Sequence, residues 1–147
     1  MLGVSAKVVE TYRLDRFVAN SGSTITATST VRLATQNASV VERAALIERA
    51  ALIERVATGD GPIDASFKAI DKIVGVNPVL EDFSLDSVTE GKDAQGEARV
   101  RIRCGERRYN GRGLSTDVVE ASIKAYIAAI NVMAQDTEDT RETDCGS

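Results

Sequence analysis

ASFKAI, residues 65–70, returns as ASIKAY, residues 121–126. A repeated unit fixes topology ahead of any propensity argument, because both copies must take the same local structure. Two shorter matches precede each copy in the same order. Leu14-Asp15-Arg16-Phe17 resembles Leu80-Glu81-Asp82-Phe83, and Val31-Arg32-Leu33 resembles Val100-Arg101-Ile102. Each hexamer also follows a Gly-x-Gly, Gly59-Asp60-Gly61 in the first half and Gly111-Arg112-Gly113 in the second. The 147-residue chain therefore carries one unit twice.

The first two matches in each half have strand character. Thr24 to Leu33 is rich in β-branched residues, and Ala98 to Cys104 alternates apolar residues with Arg99, Arg101 and Arg103, as a strand with one wet face does. Gly105 is expected to turn the chain, with Glu106 to Asn110 returning as a short strand. The hexamers read as helices. Pro62 suits a first turn, Ile63, Phe67, Ile70 and Ile73/Val74 recur at helical spacing, and Gly75 supplies a stop. In the second half Ser115, Thr116 or Asp117 can cap a stripe of Val118/Val119, Ser122/Ile123, Tyr126, Ile127 and Ile130. Because its Gly-x-Gly lies four residues further from the shared hexamer, the second helix is expected to start about one turn earlier. The fold class predicted is α+β: two βββα units related by an internal pseudo-twofold repeat, with helices packed on antiparallel sheet. The first unit covers about 12–75 and the second about 80–133, within a single domain of residues 1–134.

The repeat also measures an irregularity. ERAALI occurs twice between Glu42 and Ile53, followed by Glu54-Arg55. Leu33 to Gly59 spans 26 residues, whereas Ile102 to Gly111 spans 9, an excess of 17 that two copies of AALIER (44–55) largely explain. Removal of Ala44 to Arg55 would leave ASVVERVATGDGP, an ordinary third strand running into the glycines. Ala, Leu, Glu and Arg favour a helix by propensity. A six-residue period, however, scatters the charges around a helix and keeps constant faces on a strand. The expectation is a protruding helix, with an extended β-ribbon as the alternative, and the doubled segment is read as a tandem insertion, engineered or slipped.

Composition narrows the chemistry. With 43% hydrophobic residues, 4% aromatic and no Trp, the core must be built from Val, Ile, Leu and Ala. No apolar run reaches the ~20 residues that span a bilayer, and the first residues lack a signal peptide's pattern, so a soluble cytoplasmic protein without membrane contact is expected. The net charge of −4 resides in Gln135 to Ser147, an acidic tail (135–147) expected to be disordered. No basic stripe is interleaved with aromatics, which argues against nucleic acid. Cys104 and Cys145 form no C-x-x-C pair and are expected as free thiols. With no histidine, a Ser-His-Asp or Cys-His site and an imidazole-ligated metal are excluded. No catalytic residues, metal or cofactor are expected.

The glycine segments are the candidates for binding. A Gly-x-Gly before a helix lets backbone N–H groups approach an anion, and the helix dipole favours negative charge there. Free N–H groups for a carboxylate, beside Asp60 or Asp117 for an ammonium, would suit a zwitterion such as an amino acid. The residues equally allow that the glycines only make tight turns and that Asp64 or Asp117 only caps. Asp93-Ala94-Gln95-Gly96 reads as a turn leading into the strand Glu97 to Cys104.

The blocks GDGPIDASFKAIDKI (59–73), SVTEGKDAQGEARVRI (87–102) and GRGLSTDVVEASIKAYIAAIN (111–131) closely resemble the C-terminal regulatory domain of 2-isopropylmalate synthase, shared with citramalate synthases. RLDRFVANSG (13–22) is similar to that domain's opening strand, so the resemblance runs from about Tyr12 to Met133. In that family the domain follows a zinc-dependent TIM barrel that condenses acetyl-CoA with a 2-keto acid. It dimerises and binds the end-product amino acid as feedback inhibitor. The resemblance implies a non-catalytic sensor separated from its barrel, a homodimer, and leucine as effector, with isoleucine as the alternative for a citramalate synthase. A structural or engineered dimerisation module that binds no ligand is the other alternative. The family's effector lies near the helix starts, which carries over to Gly59, Asp60, Gly61, Pro62, Asp64 and Ala65, and to Gly111, Gly113, Ser115, Thr116 and Asp117.

Overall fold

A computed structural model describes residues 12–20, 26–35, 51–90 and 93–140. The chain divides into two compact units, one of Thr11–Val74 and one that contains Gly75–Ser147. In the first, strands β1 (Tyr12–Asn20), β2 (Ala27–Thr35) and β3 (Ala51–Gly59) form an antiparallel sheet in that order, followed by helix α1 (Pro62–Val74). In the second, β4 (Val79–Glu90), β5 (Asp93–Cys104) and β6 (Arg107–Ser115) form a like sheet, followed by α2 (Val118–Thr140). Each unit is βββα, as the internal repeat implies, and each helix packs on its own sheet.

The repeat extends to the register. Leu14 faces Leu33 and Leu80 faces Ile102, and both first strands then bulge by one residue, at Asp15 and at Glu81. A bulge turns its extra residue out of the ladder. Here the extra residue is an acid in both copies, and each meets an arginine of the next strand: Asp15 lies 3.6 Å from Arg32, and Glu81 lies 2.9 Å from Arg103. Alternation then sorts the sheets. Ala27, Ser29, Val31 and Leu33 of β2 are buried on the helix side, and Ala98, Val100, Ile102 and Cys104 of β5 do the same in the second unit. From the helices, Phe67, Ile70 and Ile73 and then Ile123, Tyr126, Ile127 and Ile130 complete the two buried layers. Burying an aliphatic side chain of this size contributes about 1.5–3 kcal/mol.

Five expectations are corrected. The hexamers themselves set the helix starts: α1 begins three residues before Ala65 and α2 three residues before Ala121, so neither helix is longer at its start. The two Gly-x-Gly segments are therefore not equivalents. Val31 faces Arg55 while Val100 faces Gly111, and Ala27 faces Gly59 while Gly96 faces Ser115. Gly59 thus corresponds to Ser115, and Gly111 and Gly113 sit inside β6 rather than in a turn. With the ruler reset, Leu33 to Gly59 spans 26 residues against 13 from Ile102 to Ser115, an excess of 13 instead of 17.

The second correction concerns the doubled segment. Ala51-Leu52-Ile53-Glu54-Arg55, the described part of the later AALIER copy, is strand and not helix: it forms the first half of β3, paired residue for residue with Val31 to Thr35. Ladder hydrogen bonds and the Arg32–Glu54 ion pair at 3.2 Å outweigh the helix propensity of these residues. The earlier copy lies outside the described residues. Third, Asp93 to Gly96 is part of β5, not a turn, because the β4–β5 ladder runs on to Glu90 and Asp93. Fourth, α2 continues to Thr140, six residues into the segment expected to be without structure. No Gly or Pro stands between Val118 and Thr140 to stop it. Residues 141–147 lie outside the described residues. Cys104, expected as a free thiol, is disulfide-bonded, and Cys145 lies outside the described residues. Gly75 and Gly105 act as expected, with φ of 88° and 68°, ending α1 and turning β5 into β6.

Candidate functional site

The two helix starts are built differently from the same plan. At the start of α1, the Ala65 N–H donates to the Gly61 carbonyl at 2.9 Å, which makes Gly61 the N-cap and Pro62 the first helical residue. Glycine brings no side chain to the orphan N–H groups of the first turn. Asp64, three positions on, folds back instead: its Oδ2 accepts the Asp60 N–H at 3.0 Å and lies 3.1 Å from Lys68 Nζ. That backbone hydrogen bond, supported by Lys68, holds the Asp64 carboxyl below the usual carboxylate range. Gly59 is pressed against the same turn. A Cβ there would collide with the Asp64 carboxylate and stand 2.7 Å from the Ala65 nitrogen, whereas a Cβ on Gly61 would meet nothing within 4 Å.

At the start of α2, the Ala121 N–H donates to the Asp117 carbonyl at 2.9 Å, so Asp117 is the N-cap. Its Oδ1 accepts from the Val119 N–H at 2.9 Å and from the Glu120 N–H at 3.4 Å. The Ser115 hydroxyl accepts the Asp117 N–H at 3.1 Å. The acceptor that an external anion would provide is already built into this end.

The sequence candidates therefore fall into three groups. Gly59, Asp60, Gly61, Pro62, Asp64 and Ala65 come together around the start of α1. Ser115, Thr116 and Asp117 form the link into α2, where Asp117 caps. Gly111 and Gly113 lie beneath α2. A Cβ on Gly111 would strike the Ala125 carbonyl and stand 2.5 Å from the Ala129 nitrogen; on Gly113 it would strike the Ala121 carbonyl and stand 2.7 Å from the Ala125 nitrogen. These glycines let backbone meet backbone, a packing role that the motif alone does not distinguish from ligand approach. Lys68, Asp64's partner, is not among the sequence candidates, although the i,i+4 spacing of acid and lysine signals it.

The fold and these ends define a duplicated α+β domain with one glycine-capped and one aspartate-capped helix. Among the described residues, no three or more His, Cys, Asp or Glu groups are placed to hold a metal ion, and no helix is long and apolar enough to cross a membrane. The chain belongs to the LeuA allosteric (dimerisation) domain family, whose model matches residues 1–134. It is 47% identical over 131 residues to a 2-isopropylmalate synthase of Carboxydothermus hydrogenoformans, covering 88% of this chain and 23% of that protein. It is 41% identical over 124 residues to a 2-isopropylmalate synthase of Ruminiclostridium cellulolyticum, covering 84% of this chain and 22% of that protein. An Olsenella uli 2-isopropylmalate synthase is 53% identical over 81 residues, 54% of this chain and 16% of that protein. The chain thus spans less than a quarter of the length of these relatives, and its family match is to the allosteric domain.

Proposed function

We propose that this chain is the amino-acid-sensing domain of a 2-isopropylmalate synthase, and that it forms a homodimer and binds leucine as a feedback inhibitor. The family match carries the reading. The relatives named above are all 2-isopropylmalate synthases, which favours leucine over isoleucine. Signal would pass to a catalytic barrel of the kind such synthases carry, and the chain itself performs no acyl transfer.

The effector's carboxylate goes to the start of α1, where Gly61 leaves the first-turn N–H groups without a capping side chain and Asp60 stands beside them for the ammonium. The Ser115, Thr116 and Asp117 link contributes polar contacts of its own, and Gly111 and Gly113 serve packing. Titration calorimetry with leucine, isoleucine and valine tests the proposal. Saturable heat with leucine, weaker with the other two, is the expected outcome. No heat and no thermal shift with any of the three would overturn it.

A further inference from the structure

The face of the second sheet turned away from α2 carries an arrangement that the sensing role does not use. Register partners share a face. Two adjacent cross-strand rows are Asp82–Arg101–Asn110 and Ser84–Arg99–Arg112. They line an open depression of about 430 Å³, within the size range of small-molecule sites.

Arginines on this face are shared out unequally. Glu97, buried to 8% exposure, takes two of them: Arg99 Nη2 at 3.4 Å from Oε1 and Arg112 Nε at 3.2 Å from Oε2. Glu81 takes two more, Arg103 at 2.9 Å and Arg108 at 2.8 Å. Arg101, between those pairs, has no hydrogen bond or ion pair among the described residues. Glu97 thus braces two guanidinium groups beside a third that no described residue engages. The Asn110 amide and the Ser84 hydroxyl supply further donors at the same depression.

We propose that this depression is a site for a small oxyanion, a carboxylate or a phosphate, gripped by Arg101 and flanked by Arg99 and Arg112. A planar guanidinium binds two oxygens of such a group at once, which a lysine cannot do. Arg99, Arg101 and Arg112 against Asp82 and Glu97 leave one positive charge in excess, matched by one anion. The site is independent of the leucine reading, since it uses no residue of either helix start.

The test follows arginine side-chain Nε–H signals by nuclear magnetic resonance while inorganic phosphate, and separately succinate, is added to the whole chain. Sodium chloride at equal ionic strength is the control. Saturable shifts at Arg101 and Arg99 are expected, with the apparent Kd raised about tenfold or more in Arg101→Ala and less in Arg101→Lys. Saturation by only one of the two anions identifies the ligand class and supports the site. Shifts that match chloride, or that persist unchanged in a folded Arg101→Ala, would reduce the effect to screening and overturn the proposal.

Discussion

Single residues divide the two glycine motifs by role. Ala at Gly113 or Gly111 must push Cβ into the backbone of α2, so each substitution is expected to cost about 1–3 kcal/mol, measured by urea unfolding. Ala at Gly61 meets open space and is expected to cost under about 1 kcal/mol, reflecting only its poorer capping. Asp117→Ala removes the acceptor for the Val119 and Glu120 N–H groups and is expected to cost about 1 kcal/mol in the same assay. The sequence shows Gly-x-Gly twice and offers no local mark to separate these cases. What distinguishes them is the distance to the hexamer: two helices that start at the same point of the repeat cannot both follow their glycines at the same interval.

At the scale of elements, α1 and β3 each yield a test. Asp64 titrates below the usual aspartate range in the folded chain because the Asp60 N–H donates to it and Lys68 pairs with it. Its contribution is therefore complete above the ordinary aspartate pKa and is lost as pH falls through the lower folded value. The urea midpoint of the native chain should fall more steeply on acidification than that of Asp64→Asn. The difference should be small, under about 1 kcal/mol, because the carboxylate is substantially exposed.

For β3 we propose that residues 44–55 are a tandem insertion. Their deletion brings Val40-Val41-Glu42-Arg43 to the places of Leu52-Ile53-Glu54-Arg55, so Arg32 again faces a glutamate. The connection from β2 shortens to Gln36, Asn37 and Ala38, a hairpin length. Loop closure becomes easier by about 1 kcal/mol over these two doublings of length. The deleted chain is expected to fold with an equal or higher melting temperature by circular dichroism; failure to fold would contradict the insertion. Helix propensity misjudged this segment because six is an even period. It preserves strand faces through any number of copies, and cross-strand pairing then decides the outcome.

Over the whole molecule, the doubled βββα plan was legible because the repeat constrains both halves at once, down to the acid at each bulge. The boundaries of β5, β6 and α2 were not, since ladder and helix both propagate through residues such as Asp93, Gly111 and Asp136 that look like punctuation or tail in isolation. The candidate site was legible as a pair of helix starts, but not the difference between them. An N-cap position can be filled by glycine or by aspartate, and only the structure aligns Gly61 with Asp117. That difference underlies the proposed function: Gly61 brings no side chain to the N-cap of α1, where an effector's carboxylate is proposed to bind, whereas Asp117 caps α2 with its own. Gly61→Asp would give α1 the cap that α2 has, at no cost to the helix. Calorimetric titration of leucine into the native chain and into Gly61→Asp tests the claim directly. Saturable binding by the first and its loss in a folded variant is the expected result; equal binding by both would contradict it.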